Sequence, residues 1–315
     1  MARMPQVARS LSLCLLTAAL VTACASDGDA NDMNAASEAD AASASASADN
    51  GAAAASASSS SMVTNATGAS LDAALAGTWR APQNVARDQY RHPKETLSFF
   101  QVNADDTVIE ITPGGGWYTD ILAPYLRDNG HYVAAIWDDA ITGQPNYRYD
   151  LNKRLRDKIA GNAGVYGKSD VRLFDPMKPS FGPANSADVV LTFRNAHNWV
   201  DEGTAEAYFK AFHDVLKPGG TLGVTDHRAK PGTDLETMKK SGYLTEELVI
   251  GYAEKAGFKL DGKSDINANA ADTKDHPNGV WTLPPTNQHD AADDAKYKAI
   301  GESDRMTLRF VKPAG

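Results

Sequence analysis

Val108-Ile-Glu-Ile-Thr-Pro-Gly-Gly-Gly-Trp-Tyr-Thr-Asp-Ile-Leu122 reads as a strand, a turn and the start of a helix, in that order. Val108, Ile109 and Ile111 are β-branched and form a buried strand, expected over 107–112. Gly114, Gly115 and Gly116 break it, and an apolar pattern with helical spacing follows from Tyr118 to Arg127. This is the first unit of a nucleotide-binding α/β fold, in which glycines let backbone approach the ligand and take dihedrals closed to other residues. The spelling departs from the dinucleotide fingerprint, because Glu110 lies inside the strand and E-I-T-P-G-G-G replaces G-x-G-x-x-G. A phosphate cradle needs backbone N–H groups and no acid. An acid at Glu110 suits a ligand with a cationic amino group and no phosphate.

Alternation of strands and helices continues on both sides. Leu97-Ser-Phe-Phe100 closes an N-terminal helix, and Tyr132–Trp137 is a second strand ending at Asp138 and Asp139. Leu151–Ile159 is amphipathic and helical, Val171–Phe174 is a third strand, and Asp175-Pro176 lies just past it. Ala187–Phe193 is a fourth, followed by Arg194-Asn195-Ala196-His197. Ala205, Tyr208, Phe209, Phe212, Val215 and Leu216 keep helical spacing, and Lys217-Pro-Gly-Gly220 is expected to stop that helix and turn into the strand Thr221–Thr225. Thr245 caps another helix with Glu246 and Glu247 in its first turn, and Met306–Val311 is the last strand. Such alternation argues a parallel sheet covered on both faces.

Taken together, Glu110 to Gly116, Asp138, Asp175, the strand and loop 187–197, and Leu216-Lys-Pro-Gly-Gly-Thr-Leu222 resemble a class I S-adenosylmethionine (SAM) methyltransferase across residues 97–315. E-I-x-P-G-G-G-W-Y-T is similar to motif I of a group of bacterial predicted methyltransferases. The resemblance implies a Rossmann-like, doubly wound α/β fold with a seven-stranded, mostly parallel sheet and an antiparallel C-terminal strand. It implies S-adenosyl-L-methionine as cofactor, held by Glu110, Thr112, Gly114, Gly116, Asp138 and Asp175. Asp138 stands where the family holds the two ribose hydroxyls, with Asp139 competing for that role, and Asp175 where it accepts from the adenine amine. One departure is Thr112, which replaces the first glycine of the family's G-x-G-x-G and sets a hydroxyl beside the methionine pocket. Trp117 and Tyr118 fit either the cleft or the core. The run Arg87–Pro93 lies where the family places a cap over the cofactor, and a surface helix is the other reading.

Three histidines are expected near the carboxyl ends of the strands: His197, His227 and His276. Imidazole titrates near neutrality and suits proton removal from a methyl acceptor. His197 and His227 are therefore the candidate base and orienting pair, with Asn195 beside them. No metal is expected, since His197, Asp226, His227 and His276 show no ligand spacing on a single element.

The amino terminus points elsewhere. Arg3 and Arg9 precede the apolar run Leu11–Val21, too short to span a bilayer and flanked as a secretory signal is. Leu20-Val-Thr-Ala-Cys24 resembles a bacterial lipobox, giving a signal peptide at 1–23 and lipidation at Cys24. Ala25 and Ser26 follow with no Asp directly after the cysteine. By resemblance to sorted lipoproteins of two-membrane bacteria, that implies an outer-membrane anchor facing the periplasm. From Ala35 to Ser61, 22 of 27 residues are Ala or Ser, which cannot bury enough surface to offset ordering entropy. Residues 24–70 are thus a lipidated cysteine and tether, with a reach of roughly 40 Å if fully flexible.

Residues 71–315 fit one large methyltransferase-like domain. The chain carries −9; the signal holds +2 and the tether −6, leaving −5 for this part. With no basic patch, a nucleic-acid partner is not expected and a small-molecule substrate is. Both cysteines, Cys14 and Cys24, precede the domain, so it has no disulfide, zinc-thiolate site or thiol nucleophile. The expectation is a SAM-dependent methyltransferase (EC 2.1.1.-) held at the membrane by its lipid. A lipoprotein that keeps the fold to bind a nucleoside or metabolite without turnover is the alternative.

Overall fold

The computed structural model describes residues 70–314; the expected signal, Cys24 and the tether up to residue 69 lie outside them. The chain enters through four short helices, α1 (Leu71–Leu75), α2 (Pro82–Val85), α3 (Asp88–Arg91) and α4 (Pro93–Phe99). Then come β1 (Thr107–Ile111), α5 (Thr119–Leu126), β2 (His131–Trp137), α6 (Asn146–Gly161), α7 (Ala163–Tyr166) and β3 (Asp170–Phe174). The second half runs β4 (Ala187–Phe193), α8 (Ala196–Asp201), α9 (Ala205–Val215), β5 (Leu216–His227), α10 (Leu235–Ser241), α11 (Glu246–Lys255), β6 (Lys259–Ser264), α12 (Asp294–Ile300) and β7 (Arg305–Val311).

These strands form one seven-stranded sheet in the order β3-β2-β1-β4-β5-β7-β6. The pairs from β3 to β5 are parallel, and β7 inserts antiparallel between β5 and β6. The Rossmann-like, mostly parallel architecture expected from the sequence is therefore the one observed. Alternation along β1 explains the layering. Val108 packs with Leu97, Phe100, Ile121, Leu122 and Tyr132 on one face. Ile109 and Ile111 pack with Val133, Tyr147, Leu151, Phe209 and Val249 on the other. Both faces are buried because helices cover both. The chain winds outward from β1 to β3, then returns to β4 on the other side of β1, so β1 and β4 are the switch point where such folds open a ligand crevice.

Two elements begin several residues before the sequence reading places them. Lys217-Pro-Gly-Gly220 is part of β5 rather than a separate turn: the register jumps from Ala187↔Leu216 to Val189↔Thr221, so the extra residues bulge while pairing resumes beyond them. Helix α6 begins at Asn146 rather than Leu151, because its first turn, Asn146-Tyr-Arg-Tyr, has few aliphatic residues to mark the period. Thr245 does cap α11, accepting from the Leu248 N–H at 3.3 Å. Among the described residues no helix is long and apolar enough to cross a membrane.

Candidate active site

The turn after β1 is built on three left-handed residues: Thr112 at φ 46°, Gly114 at 61° and Gly116 at 84°. Glycine takes such dihedrals freely, and at Gly116 a Cβ would also sit 3.0 Å from Leu155 Cδ1. Thr112 is the exception, since its β-branched side chain pays a steric cost in this region. What holds it is its N–H, which donates to the Ala135 carbonyl at 2.8 Å and carries the β1–β2 ladder one residue past the strand. Its hydroxyl is buried with no hydrogen-bond partner. The position of the missing glycine thus keeps glycine's backbone.

Glu110, 2% exposed, points from β1 toward α5. Tyr132 donates to its Oε2 at 2.6 Å, Thr119 to the same oxygen at 3.3 Å, and the two hydroxyls lie 2.8 Å apart. Two hydroxyls thereby orient one oxygen of this buried carboxylate. Burial beside this carboxylate holds the Tyr132 phenol well above its ordinary value, so it remains a donor.

A cleft opens at the carboxyl ends of β1 and β4. Glu110, Thr112 and Gly114 line it, with Phe193, Arg194 and Asn195 across from them. Trp137, Tyr147 and Leu151 add an apolar wall, and Trp117, Tyr118 and Arg91 another. Tyr118 stacks on Phe193 at 3.6 Å between ring centroids and 10° between planes. Arg91 lies 4.8 Å over the Trp117 ring, while the Trp117 indole donates to the Asn84 carbonyl at 3.0 Å. The N-terminal helices thereby close over the glycine turn, and the run 87–93 delivers Arg91 to the cleft.

The other expected site residues are distributed unevenly. Asp138 and Asp175 stand just beyond the paired ends of β2 and β3, where Trp137 lies opposite Phe174. Neither belongs to the cleft wall, and one oxygen of each closes its own turn: Asp138 Oδ1 accepts from the Ala140 N–H at 2.9 Å and Asp175 Oδ1 from the Met177 N–H at 2.8 Å. Asp139 pairs with Arg156 and accepts from Asn152 at 2.5 Å, so it is committed to α6. Asn195 reaches the cleft, but its amide donates to the Ile111 carbonyl at 3.0 Å and Thr192 Oγ1 at 3.2 Å, tying the ends of β1 and β4 together.

His197 and His227 come together behind the cleft, with ring centroids 5.1 Å apart and both rings buried. His197 Nδ1 lies 2.9 Å from Asp226 Oδ1, and its Nε2 is buried without a partner. The buried Asp226 carboxylate is satisfied by that ring and by the N–H groups of His197 and His227. His227 accepts from Arg194 Nε at Nε2 over 3.4 Å, so its Nδ1 carries the proton toward Ser303 Oγ at 2.5 Å. Burial first, then the charge of Arg194, holds His227 well below the ordinary 6.5 and hence neutral. His276 stands apart, bonded to Asp272 at 2.8 Å. Donor atoms of His197, Asp226 and His227 do lie within 4.8 Å of one another. A cation there would face the Arg194 guanidinium that already occupies His227, which makes the group a poor metal site.

Arg91 and Arg194 are the two site residues whose part was least legible in the sequence. Arg194 was visible only as a loop residue past β4, yet it holds φ 61° and lines the cleft. Desolvation and the nearby charges of Arg91 and Arg305 push its guanidinium down to about 9.

No family model matches the chain, and no curated protein does. Many solved structures share its fold. A [4+2]-cyclase, SpnF, aligns at 17% identity over 76% of this chain and 86% of its own, with a TM-score of 0.53. A SAM-dependent methyltransferase from Aquifex aeolicus aligns at 14% identity over 74% and 94%, with a TM-score of 0.48. Another from Mesorhizobium loti aligns at 13% over 69% and 96%, with a TM-score of 0.42. Identities this low speak to fold alone, and a fold does not fix a reaction. In fold, the chain is similar to this Rossmann-like group, a cyclase among them.

Proposed function

We propose that this protein is a SAM-dependent methyltransferase acting on a small-molecule acceptor. The observation that carries the reading is the left-handed Thr112–Gly116 turn beside a buried, hydroxyl-oriented Glu110, opening onto a cleft at the β1–β4 switch point. The donor set fits the cofactor. Glu110 is a carboxylate for its ammonium group, the turn at Thr112, Gly114 and Gly116 brings backbone close, and Trp137 and Tyr147 offer flat apolar surface to a base. Asp138 and Asp175, at adjacent strand ends, are assigned to the ribose and the adenine amine through the oxygen each does not spend on its own turn. When bound, the cofactor supplies an electrophilic methyl group on a sulfonium.

The chain's own residues then have separable tasks. His197 is the candidate base, since its Nε2 lacks a protein partner and Asp226 orients its ring. Asn198 lines both the cleft and the neighbouring depression that His197 lines, so it links the two. His227 acts through Arg194, and Asn195 through the strand ends it ties; both are positioning residues. The lipid anchor at Cys24 belongs to the same proposal, and Cys24→Ser is expected to release the protein from membranes.

Calorimetric titration of SAM and S-adenosylhomocysteine into the purified protein tests the cofactor. Binding of either supports the reading; no heat and no thermal shift at millimolar ligand ends it. The second reading is a protein that keeps the fold and binds the nucleoside without transferring its methyl group, since a fold does not fix a reaction. In that case titration succeeds while no S-adenosylhomocysteine accumulates with any acceptor.

A further inference from the structure

Behind Tyr118 and Phe193 lies a second, narrow cavity, lined by Arg91, Arg194, Arg305, Thr225 and Asn267. Its electrostatics are lopsided. Glu302, 2% exposed, stands outside the lining and is paired to Arg87 Nε at 2.7 Å, Arg91 Nε at 3.2 Å and Arg305. Arg194 adds a fourth guanidinium, one with no carboxylate partner among the described residues. Other nearby acids are committed elsewhere: Asp304 to Arg228 and Lys274, and Asp226 to His197. Uncompensated buried cations are costly, and burial first, then the charges of Arg91 and Arg305, lower the proton affinity of Arg194.

Hydrogen-bonding capacity is also left over. Arg91 Nη2 and Arg305 Nε are buried donors with no partner among the described residues, on residues 7% and 2% exposed. Thr225 Oγ1 and Asn267 Oδ1 are buried and unpartnered too, and Asn267 can only accept there, because its amide nitrogen already donates to Thr96 and Thr307. Free donors on cations beside a lone acceptor match an oxyanion that also carries an O–H.

We propose that this cavity is the acceptor subsite, and that the methyl acceptor presents to it an oxyanion with an adjacent hydroxyl: a hydroxycarboxylate or a hydrogen phosphate. This rests on the methyltransferase reading only for the word acceptor; the oxyanion site stands on its own residues. Guanidiniums grip carboxylate or phosphate through paired N–H groups, Arg91 and Arg194 are shared with the cofactor cleft, and the anion would therefore bind next to the methyl donor.

The test is calorimetry on the full-length protein with lactate and, separately, inorganic phosphate, each with and without saturating S-adenosylhomocysteine. One of the two is expected to bind, and to bind alongside the nucleoside. Arg305→Gln, whose residue lines this cavity and not the cofactor cleft, should weaken the anion by roughly 10-fold or more and leave the nucleoside in place. Thr225→Val keeps the shape and removes only a hydroxyl, so it should weaken the anion even if Arg305→Gln fails to fold. Binding of neither anion overturns the proposal, as does unchanged anion affinity in Thr225→Val. Mutual exclusion of anion and nucleoside also overturns it, since the arginines would then serve the nucleoside's own carboxylate. Anion binding without any nucleoside binding would leave this site standing and end the methyltransferase reading.

Discussion

Tyr132 Oη donates to Glu110 Oε2 at 2.6 Å, from a strand that runs parallel to the one bearing the acid. Tyr132 lies two residues before Ala134, the register partner of Glu110, so the phenol leans along the sheet to reach it. Removing it in Tyr132→Phe strips a short hydrogen bond from a buried carboxylate. The expected loss is about 1–3 kcal/mol in urea unfolding. Glu110→Gln is the complementary change: it keeps the shape and removes the charge offered to an ammonium group. It should weaken SAM by roughly 10- to 150-fold while the melting temperature moves far less than in Tyr132→Phe. Equal SAM affinity in Glu110→Gln would detach this acid from the cofactor.

Asn195 separates positioning from chemistry. Its amide donates to the Ile111 carbonyl at the end of β1, where the glycine turn begins. Asn195→Asp has the same outline but sets an oxygen against that carbonyl. Stability should fall by about 1–3 kcal/mol, and affinity for the nucleoside should fall with it. A variant with normal affinity and lost turnover would instead make Asn195 a catalytic residue.

The sheet was legible because its strands are written in β-branched residues and its turns in glycine. Ala187–Phe193 was bounded from sequence to the residue, and β1 to within one. Site residues inside motifs were legible as well: Glu110, Thr112 and Gly114 do line the cleft. What stayed hidden depends on distance along the chain. Glu302 gathers Arg87 and Arg91 from more than 200 positions away, and no local period announces that pairing. Arg194 lay in plain view beyond β4, but only the fold shows that Arg91 and Arg305 crowd it. Asp138 and Asp175 illustrate the opposite limit. Their places at strand ends were readable, while the Asx turns that engage one oxygen of each follow from loop geometry.

Acid sensitivity follows from His227. Burial holds it neutral in the folded protein, whereas in the unfolded chain it protonates near 6.5. Below that value the unfolded state binds a proton that the folded state refuses, so stability falls as pH falls. The slope should approach about 1.4 kcal/mol per pH unit per such group, starting near pH 6.5. His213, also lowered by burial, contributes to the same window. Glu302 is held well below 4.5 by its arginines and adds its own loss only at lower pH. Urea unfolding between pH 5 and 7.5 should show the slope in the parent and a shallower one in His227→Gln. An identical slope in both would show that His227 takes up its proton while folded.

Thr112 carries the sharpest prediction, because two costs meet in one residue. A β-branched side chain sits at φ 46°, and its hydroxyl is buried without a partner. Left-handed backbone costs an ordinary residue roughly 1–2 kcal/mol. Glycine removes both penalties, and its greater freedom in the unfolded chain offsets roughly 0.5–1 kcal/mol of that relief. Thr112→Gly should therefore raise stability, by about 1 kcal/mol. Thr112→Ala removes the orphan hydroxyl but keeps a Cβ in the left-handed region, so its gain should be smaller. The cofactor readout distinguishes strain tolerated by chance from strain held for use. If the hydroxyl only narrows the pocket, Thr112→Gly binds SAM at least as tightly as the parent. If the hydroxyl bonds the ligand, stability rises while affinity drops, and the strain is there to place that hydroxyl. Loss of stability in Thr112→Gly would refute the strain argument altogether.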